Sequence, residues 1–319
     1  MSQLYEAARK AIFSCMGVKR GEKLLILTDE EQLPLAAEFV RAGNDIGVET
    51  VMSCGPVRHS GEMPELSRAA LSQADAAMLI TTGSFTHTKG RAEATERGCR
   101  IASMPGITAE IAEQTLGADY DEVERTGNLL ADKLTECSEI HITTKAGTDL
   151  YLSAEGRRGI ADTGKLVEKG AFGNLPAGEA MVAPIETKGE GTLVVDGVIA
   201  DFKVMDKEPL TIRFKDGRIV QTSGPDAEEF EKFVGQFEDT ARNVCEFGIG
   251  TNPKCAIMGN GLVDEKVFGT IHIACGNNLF MGGQQDCDMH YDMIIKNPTV
   301  YLDGECIIED GKHIYQEER

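Results

Sequence analysis

Two histidines and an aspartate near the C-terminal end of the chain are of the types, and at the spacing, that hold a metal ion. His272 lies in the run G-T-I-H-I-A, where strand alternation places Thr270, His272 and Ala274 on one face and Ile271 and Ile273 on the other. The small neighbours leave room beside the imidazole, and the isoleucines are expected to bury the opposite face. In His290-Tyr291-Asp292 an imidazole and a carboxylate stand two residues apart, so extended backbone points both to the same side. The Gly- and Asn-rich loop between these pieces can bring them together. Residues 264–292 thus offer a set of the 2-His-1-carboxylate kind. Without a metal, His272 reads as a hydrogen-bonded core histidine and H-Y-D as the end of a surface strand.

Two glutamates add to this set by their surroundings. Glu179 lies in F-G-N-L-P-A-G-E-A, a Gly- and Pro-punctuated loop that enters the apolar M-V-A-P. Glu246, in N-V-C-E-F-G-I-G, reads as the end of a long helix, beside Val244, Cys245 and Phe247. A carboxylate in such company is expected to be partly buried, and a buried carboxylate needs a partner, of which a metal is one. His87, in S-F-T-H-T-K-G-R, follows the third strand of the first domain, with Lys89 and Arg91 nearby. The carboxyl ends of parallel strands are where such sheets place ligands. The expectation is that His87 faces the metal across an interdomain cleft as a proton-transfer group, against the plain alternative of an exposed loop histidine. His59 is a weaker candidate, and His141 and His313 read as strand or tail residues. Cys245, Cys275 and Cys287 match no zinc spacing and are read as structural. No G-x-S-x-G marks a serine nucleophile.

The elements that must position these groups fall into two textures. Over residues 1–137, strand-like runs at 22–29, 48–56, 76–83 and 100–106 alternate with helical ones at 31–47, 63–73, 90–97 and 108–117. That alternation predicts βαβ units and a doubly wound parallel sheet. No G-x-G-x-x-G follows the first strand, so a dinucleotide site is unsupported. A charged helix over 119–139 leads to residues 138–319, read as a largely antiparallel α+β domain that carries the metal site. Its β runs are punctuated by Asp-Gly turns at Asp196, Asp216, Asp303 and Asp310, a strong hairpin signal. Residues 225–248 between them read as one clean helix.

With 319 residues the chain can build two sizeable cores. Its net charge of −20 disfavours nucleic acid and anionic membranes as partners, because phosphate binding needs a basic patch. No apolar run approaches the roughly 20 residues needed to span a bilayer, and the N-terminal stretch lacks a signal-type apolar core. The nine scattered cysteines, without a C-x-x-C pair, fit reduced thiols in a cytoplasm.

Taken in order, G-N-L-P-A-G-E at 173–179, C-E-F-G-I-G-T-N-P at 245–253, D-E-K-V-F-G-T-I-H-I-A-C-G at 264–276 and H-Y-D at 290–292 resemble the M29 metallopeptidases. These are the aminopeptidase T, aminopeptidase S and leucyl aminopeptidase type enzymes, to which the 2,5-dihydroxypyridine dioxygenases are related. The resemblance covers most of residues 139–319. T-H-T-K-G-R-A-E-A at 86–94 and S-M-P-G-I-T at 103–108 resemble the N-terminal domain of the shorter members. For the peptidase branch it implies two divalent ions (Zn, Mn or Co) held by Glu179, Glu246, His272, His290 and Asp292. For the dioxygenase branch it implies one Fe(II) held by His272, His290 and Asp292, with His87 as base. Three carboxylates and two neutral imidazoles total −3; one divalent ion leaves −1 and two leave +1, which suits polarising a carbonyl and activating water. The first expectation is therefore a cytoplasmic hydrolase of the aminopeptidase T type, acting on an amide of a small or peptide substrate. In it, metal-bound hydroxide attacks the amide, and Glu179 or Glu246 doubles as base. The dioxygenase is the alternative, and a metal-stabilised binding protein without catalysis the third. The peptidases' tyrosine after the first ligand histidine is missing, since residues 277–280 read N-N-L-F. A homodimer is implied by the family alone.

Overall fold

Short apolar runs separated by amphipathic helices pack as strands covered on both faces, and the first third of the chain follows that rule. The computed structural model describes residues 2–59, 61–205 and 208–315. In it the strands Glu49–Gly55, Lys23–Asp29, Ala76–Ile80, Arg100–Ser103 and Phe172–Asn174 lie in that order in one parallel sheet. Leu25, Leu27, Ala77, Leu79 and Ile101 on one face pack with Leu71 of helix Glu65–Leu71 and Ala94 of helix Lys89–Glu96. Leu24, Ile26, Ala76 and Met78 are buried on the other face. At the end of the second strand the Asp29 carboxylate accepts from the Thr82 backbone N–H at 2.6 Å and from its hydroxyl at 3.1 Å. A carboxylate fills the crevice where a dinucleotide-binding sheet would offer bare N–H groups to phosphate.

The chain does not divide at 137/138 as the change of texture suggests. One compact unit comprises Met1–Glu124 with Asp162–Ala177, and the other Arg125–Ala161 with Gly178–Arg319. Helix Tyr120–Glu136 begins in the first and ends in the second. Phe172–Asn174 then extends the parallel sheet beside Arg100–Ser103. Its three residues are too few to show an alternating pattern, so the sequence reads as loop there.

The second unit is built on two sheets of antiparallel strand pairs that share one apolar core. The eight-stranded sheet runs Arg218–Ser223, Leu210–Lys215, Gly189–Val195, Asp149–Ser153, Glu139–Thr143, Thr299–Leu302, Glu305–Glu309, Lys312–His313. The seven-stranded sheet runs Lys203–Val204, Val198–Ile199, His290–Lys296, Thr270–Gly276, Val244–Gly250, Glu179–Val182, Ile160–Asp162. Ile140, Leu150 and Leu193 of the first meet Val182, Phe247, Ile273 and Met293 of the second. Asp216, Asp303 and Asp310 sit at φ of 46–49° before a positive-φ glycine, the primed turn that joins two strands tightly. Asp196 departs from the expectation: its turn carries the chain from the eight-stranded sheet to the seven-stranded one. Residues 225–248 are not one helix either. Helix Ala227–Val234 stops at Gly235, a 3-10 turn spans Asp239–Arg242, and strand Val244–Gly250 follows. Among the described residues no helix is long and apolar enough to cross a membrane.

Candidate metal centre

Four adjacent strands of the seven-stranded sheet bring residues far apart in the chain onto one face. Alternation sends Phe247, Ile249, Ile271, Ile273, Tyr291 and Met293 into the core and leaves Glu246, His272, His290 and Asp292 on the opposite side. Across the sheet Glu246 pairs with Ala274 and Ala274 with Asp292, while His290 stands opposite Gly276 and His272 opposite Gly248. Each ligand-type side chain therefore has a small residue beside it. Glu179 opens the fourth strand opposite Gly250. A register shift between Val244 and Glu246 turns Cys245 as well toward His290. Glu246 is thus a strand residue, and neither it nor Glu179 is in the loop or helix end that the sequence suggests.

The side chains converge. His272 Nε2 lies 3.2 Å from Glu246 Oε1 and 3.4 Å from Glu179 Oε2. His290 Nε2 lies 3.1 Å from Glu246 Oε2 and 3.5 Å from Asp292 Oδ1. Two triads of potential ligand atoms, Glu179–Glu246–His272 and Glu246–His290–Asp292, share Glu246. His290 Nδ1 is 2.8 Å from the Asn277 carbonyl, which can only accept, so Nδ1 carries the proton and Nε2 faces the carboxylates. Asp292 Oδ1, by contrast, is buried without a hydrogen-bond partner, as is His272 Nδ1. Burial works against ionised Glu246, but hydrogen bonds from His272 and His290 outweigh it and hold its carboxyl below the usual range. Asp292 is also held low: burial is overcome by the positive charge of His290 beside it. Burial likewise opposes charge on His272, yet its bond to Glu246 and the charges of Glu246, Asp292 and Glu179 raise it to about 10. Side chains that hold protons this firmly present the charge a cation needs, and a metal would displace those protons.

Two residues at this site escape a reading of ligand types. Lys266 is fully buried, its Nζ 3.1 Å from Glu179 Oε1 and bonded also to Glu265. Glu265 is driven well above the carboxylate range by burial, against the pull of Lys266. Both belong to the D-E-K run before the His272 strand. A charged pair separated by three residues from a largely apolar strand is the signal that could have found them. The loop 277–280 carries no phenol; Phe280 sets its ring edge-on to His290 at 5.5 Å between centroids. Cys245 Sγ is 3.5 Å from His290 Nδ1, and burial pushes its thiol up to about 11, so it is a packing neighbour and not a thiolate ligand. His87 occupies an exposed turn just before Thr88, whose hydroxyl caps helix Lys89–Glu96 in the first unit.

A family model, NicX: 2,5-dihydroxypyridine 5,6-dioxygenase, matches residues 3–315. A 2,5-dihydroxypyridine 5,6-dioxygenase of Pseudomonas putida KT2440 is 24% identical over 300 residues, covering 90% of this chain and 83% of that protein. Among solved structures, 2,5-dihydroxypyridine dioxygenase from Pseudomonas putida KT2440 is similar with a TM-score of 0.83 at 20% identity, over 100% of this chain and 99% of that one. Wild-type AmpT from Thermus thermophilus is similar with a TM-score of 0.70 at 17% identity, over 98% and 99%. The likeness to AmpT is one of fold, whereas the match along the sequence is to dioxygenases. The expectation of an aminopeptidase-like hydrolase is thereby overturned. The charge count behind it omitted Lys266, whose ammonium beside Glu179 already offsets one of the three carboxylates. By the match that runs nearly its whole length and takes in every one of these strands, the chain belongs to the 2,5-dihydroxypyridine 5,6-dioxygenase family.

Proposed function

We propose that this protein is an Fe(II)-dependent dioxygenase that opens the ring of a dihydroxypyridine. The observation that carries the reading is that the family match spans residues 3–315, within which His272, His290 and Asp292 lie on adjacent strands and one sheet face. The donor set fits the ion, because two imidazoles and one carboxylate suit non-haem Fe(II). Asp292 Oδ1, buried without a hydrogen-bond partner, is an atom that a cation would satisfy. His272, His290 and Asp292 would hold the iron, which when bound supplies a one-electron route for dioxygen and a place for it to meet the substrate.

The chain's own residues do the rest. The Asn277 carbonyl fixes the tautomer and direction of His290. Glu246 spans the two imidazoles and keeps them aimed at one point. Phe280 presents an apolar edge beside His290, suited to a flat ring. The C5–C6 bond breaks and both oxygen atoms enter the product, so no outside reductant is consumed.

Protein loaded anaerobically with Fe(II) is expected to take up one dioxygen per 2,5-dihydroxypyridine consumed. Hydrolysis of aminoacyl anilides with Zn, Mn or Co, and no oxygen uptake, would sink the proposal. Substrate binding without any turnover would favour a binding protein instead. His290→Ala is expected to lose both iron and oxygen uptake.

A further inference from the structure

Glu179 is the one ligand-type carboxylate of this site already matched with a fixed cation. Its Oε1 lies 3.1 Å from Lys266 Nζ and its Oε2 lies 3.4 Å from His272 Nε2, so both oxygens are engaged. Lys266 is fully buried, on the chain segment that feeds directly into the His272 strand, and Glu265 holds the same ammonium from a second direction. A buried ammonium held by Glu179 and Glu265 has no solvent to retreat to. An ion seated in the Glu179–Glu246–His272 triad would share a carboxylate with that ammonium at short range. Like charges within a few ångströms of each other in a buried site repel strongly, because little solvent screens them. His290 and Asp292, by contrast, are engaged by Glu246 and by each other, so an ion held by His272, His290 and Asp292 does not lean on Glu179.

We infer that Lys266 stands in place of a second metal ion at Glu179 and limits this site to one divalent cation. The inference rests on reading the convergent residues as a metal site and deepens the dioxygenase proposal by naming the residue that sets the stoichiometry. Glu179 then serves as counter-ion to Lys266. The sheet face itself carries ligand types enough for two ions. The side chain that precedes the His272 strand decides between the two outcomes.

The test is metal content, read by equilibrium dialysis of the full chain against Zn²⁺ or Mn²⁺ and elemental analysis, without reference to turnover. The wild-type protein is expected to bind one tight ion, and Lys266→Met two. Glu179→Gln is expected to keep one ion with affinity within about threefold of wild type, since in this account no ion leans on Glu179. Two tight ions in the wild type, or one in a folded Lys266→Met, would overturn the inference. If Lys266→Met does not fold, Glu179→Gln decides: retention of the ion supports the inference and its loss overturns it. The dioxygenase reading fails separately. One ion in the wild type and two in Lys266→Met, with no oxygen uptake on 2,5-dihydroxypyridine, would leave the inference standing and remove the proposed reaction.

Discussion

A Cβ built on Gly248 would lie 2.0 Å from His272 Nε2 and 2.1 Å from Cε1, so the imidazole rests directly on that glycine. The two residues face each other across neighbouring strands, and Gly248 has no positive φ, which makes its role one of space and not of backbone freedom. Gly248→Ala must therefore push the imidazole off its line to Glu246. The variant is expected to weaken divalent binding roughly 10–100-fold, as changes that misplace a ligand do. Overpacking is expected to cost about 1–3 kcal/mol of stability. Calorimetric titration with Mn²⁺ and thermal melting check the two parts, and unchanged affinity would remove His272 from the ligand set. At this scale the metal-binding types were legible in the chain, because imidazoles and carboxylates at strand spacing carry their chemistry with them. The partners of those groups were not. Asn277 acts through a backbone carbonyl and leaves no mark in residue type, and Lys266 is marked only by its place in the charged run before the His272 strand.

At the scale of elements, what held was what periodicity alone determines. The alternation around His272 and His290 sorts ligands from core residues as the strands do, and three of the four Asp-Gly turns join hairpins. What failed was decided by tertiary packing. Residues 225–248 carry a helical apolar spacing only as far as Val234; beyond it the β-branched and small residues that pair with Thr270–Gly276 make a strand. That short helix supports the site from behind. Phe230 and Phe233 meet the ring of Tyr291 edge-on at 6.1 and 5.7 Å, on the core side of the strand that carries His290 and Asp292. Phe230→Ala is expected to destabilise the protein by about 3–5 kcal/mol. Chemical denaturation measures that loss, and dialysis at low temperature should still find the wild-type ion content. The edge strand Lys312–His313 offers a pH test. The His313 ring stacks on Phe268 at 4.1 Å, and burial lowers its pKa to about 4. The unfolded chain, near 6.5, binds the proton more readily, so His313 adds stability that is full above that pH and is lost as pH falls from there toward 4. His313→Phe keeps the stacking and cannot titrate. Comparing denaturation at pH 7 and pH 4.5 should show an acid loss smaller by about 1–3 kcal/mol in the variant; equal losses would show that His313 is not held neutral by the fold.

For the molecule as a whole, the distribution of the candidate ligands predicts where a bound ion is felt. Glu179, Glu246, His272, His290 and Asp292 all belong to the second compact unit, and the parallel sheet Glu49–Gly55 to Phe172–Asn174 belongs to the first. An ion at 100 times its dissociation constant stabilises whatever binds it by about 2.7 kcal/mol. Chelation should withdraw that stability without unfolding the second unit. Its core is formed by two sheets of apolar side chains, and in the absence of metal Glu246 still spans His272 and His290. The expected result of removing the ion, followed by amide hydrogen exchange, is lower protection in Val244–Gly250, Thr270–Gly276 and His290–Lys296. Lys23–Asp29 and Ala76–Ile80 should exchange as before, because no ligand lies on their sheet. A uniform loss of protection through both units would mean that the ion governs global stability. No change in the three ligand strands would mean that the divalent ion binds elsewhere, and would count against the metal centre itself.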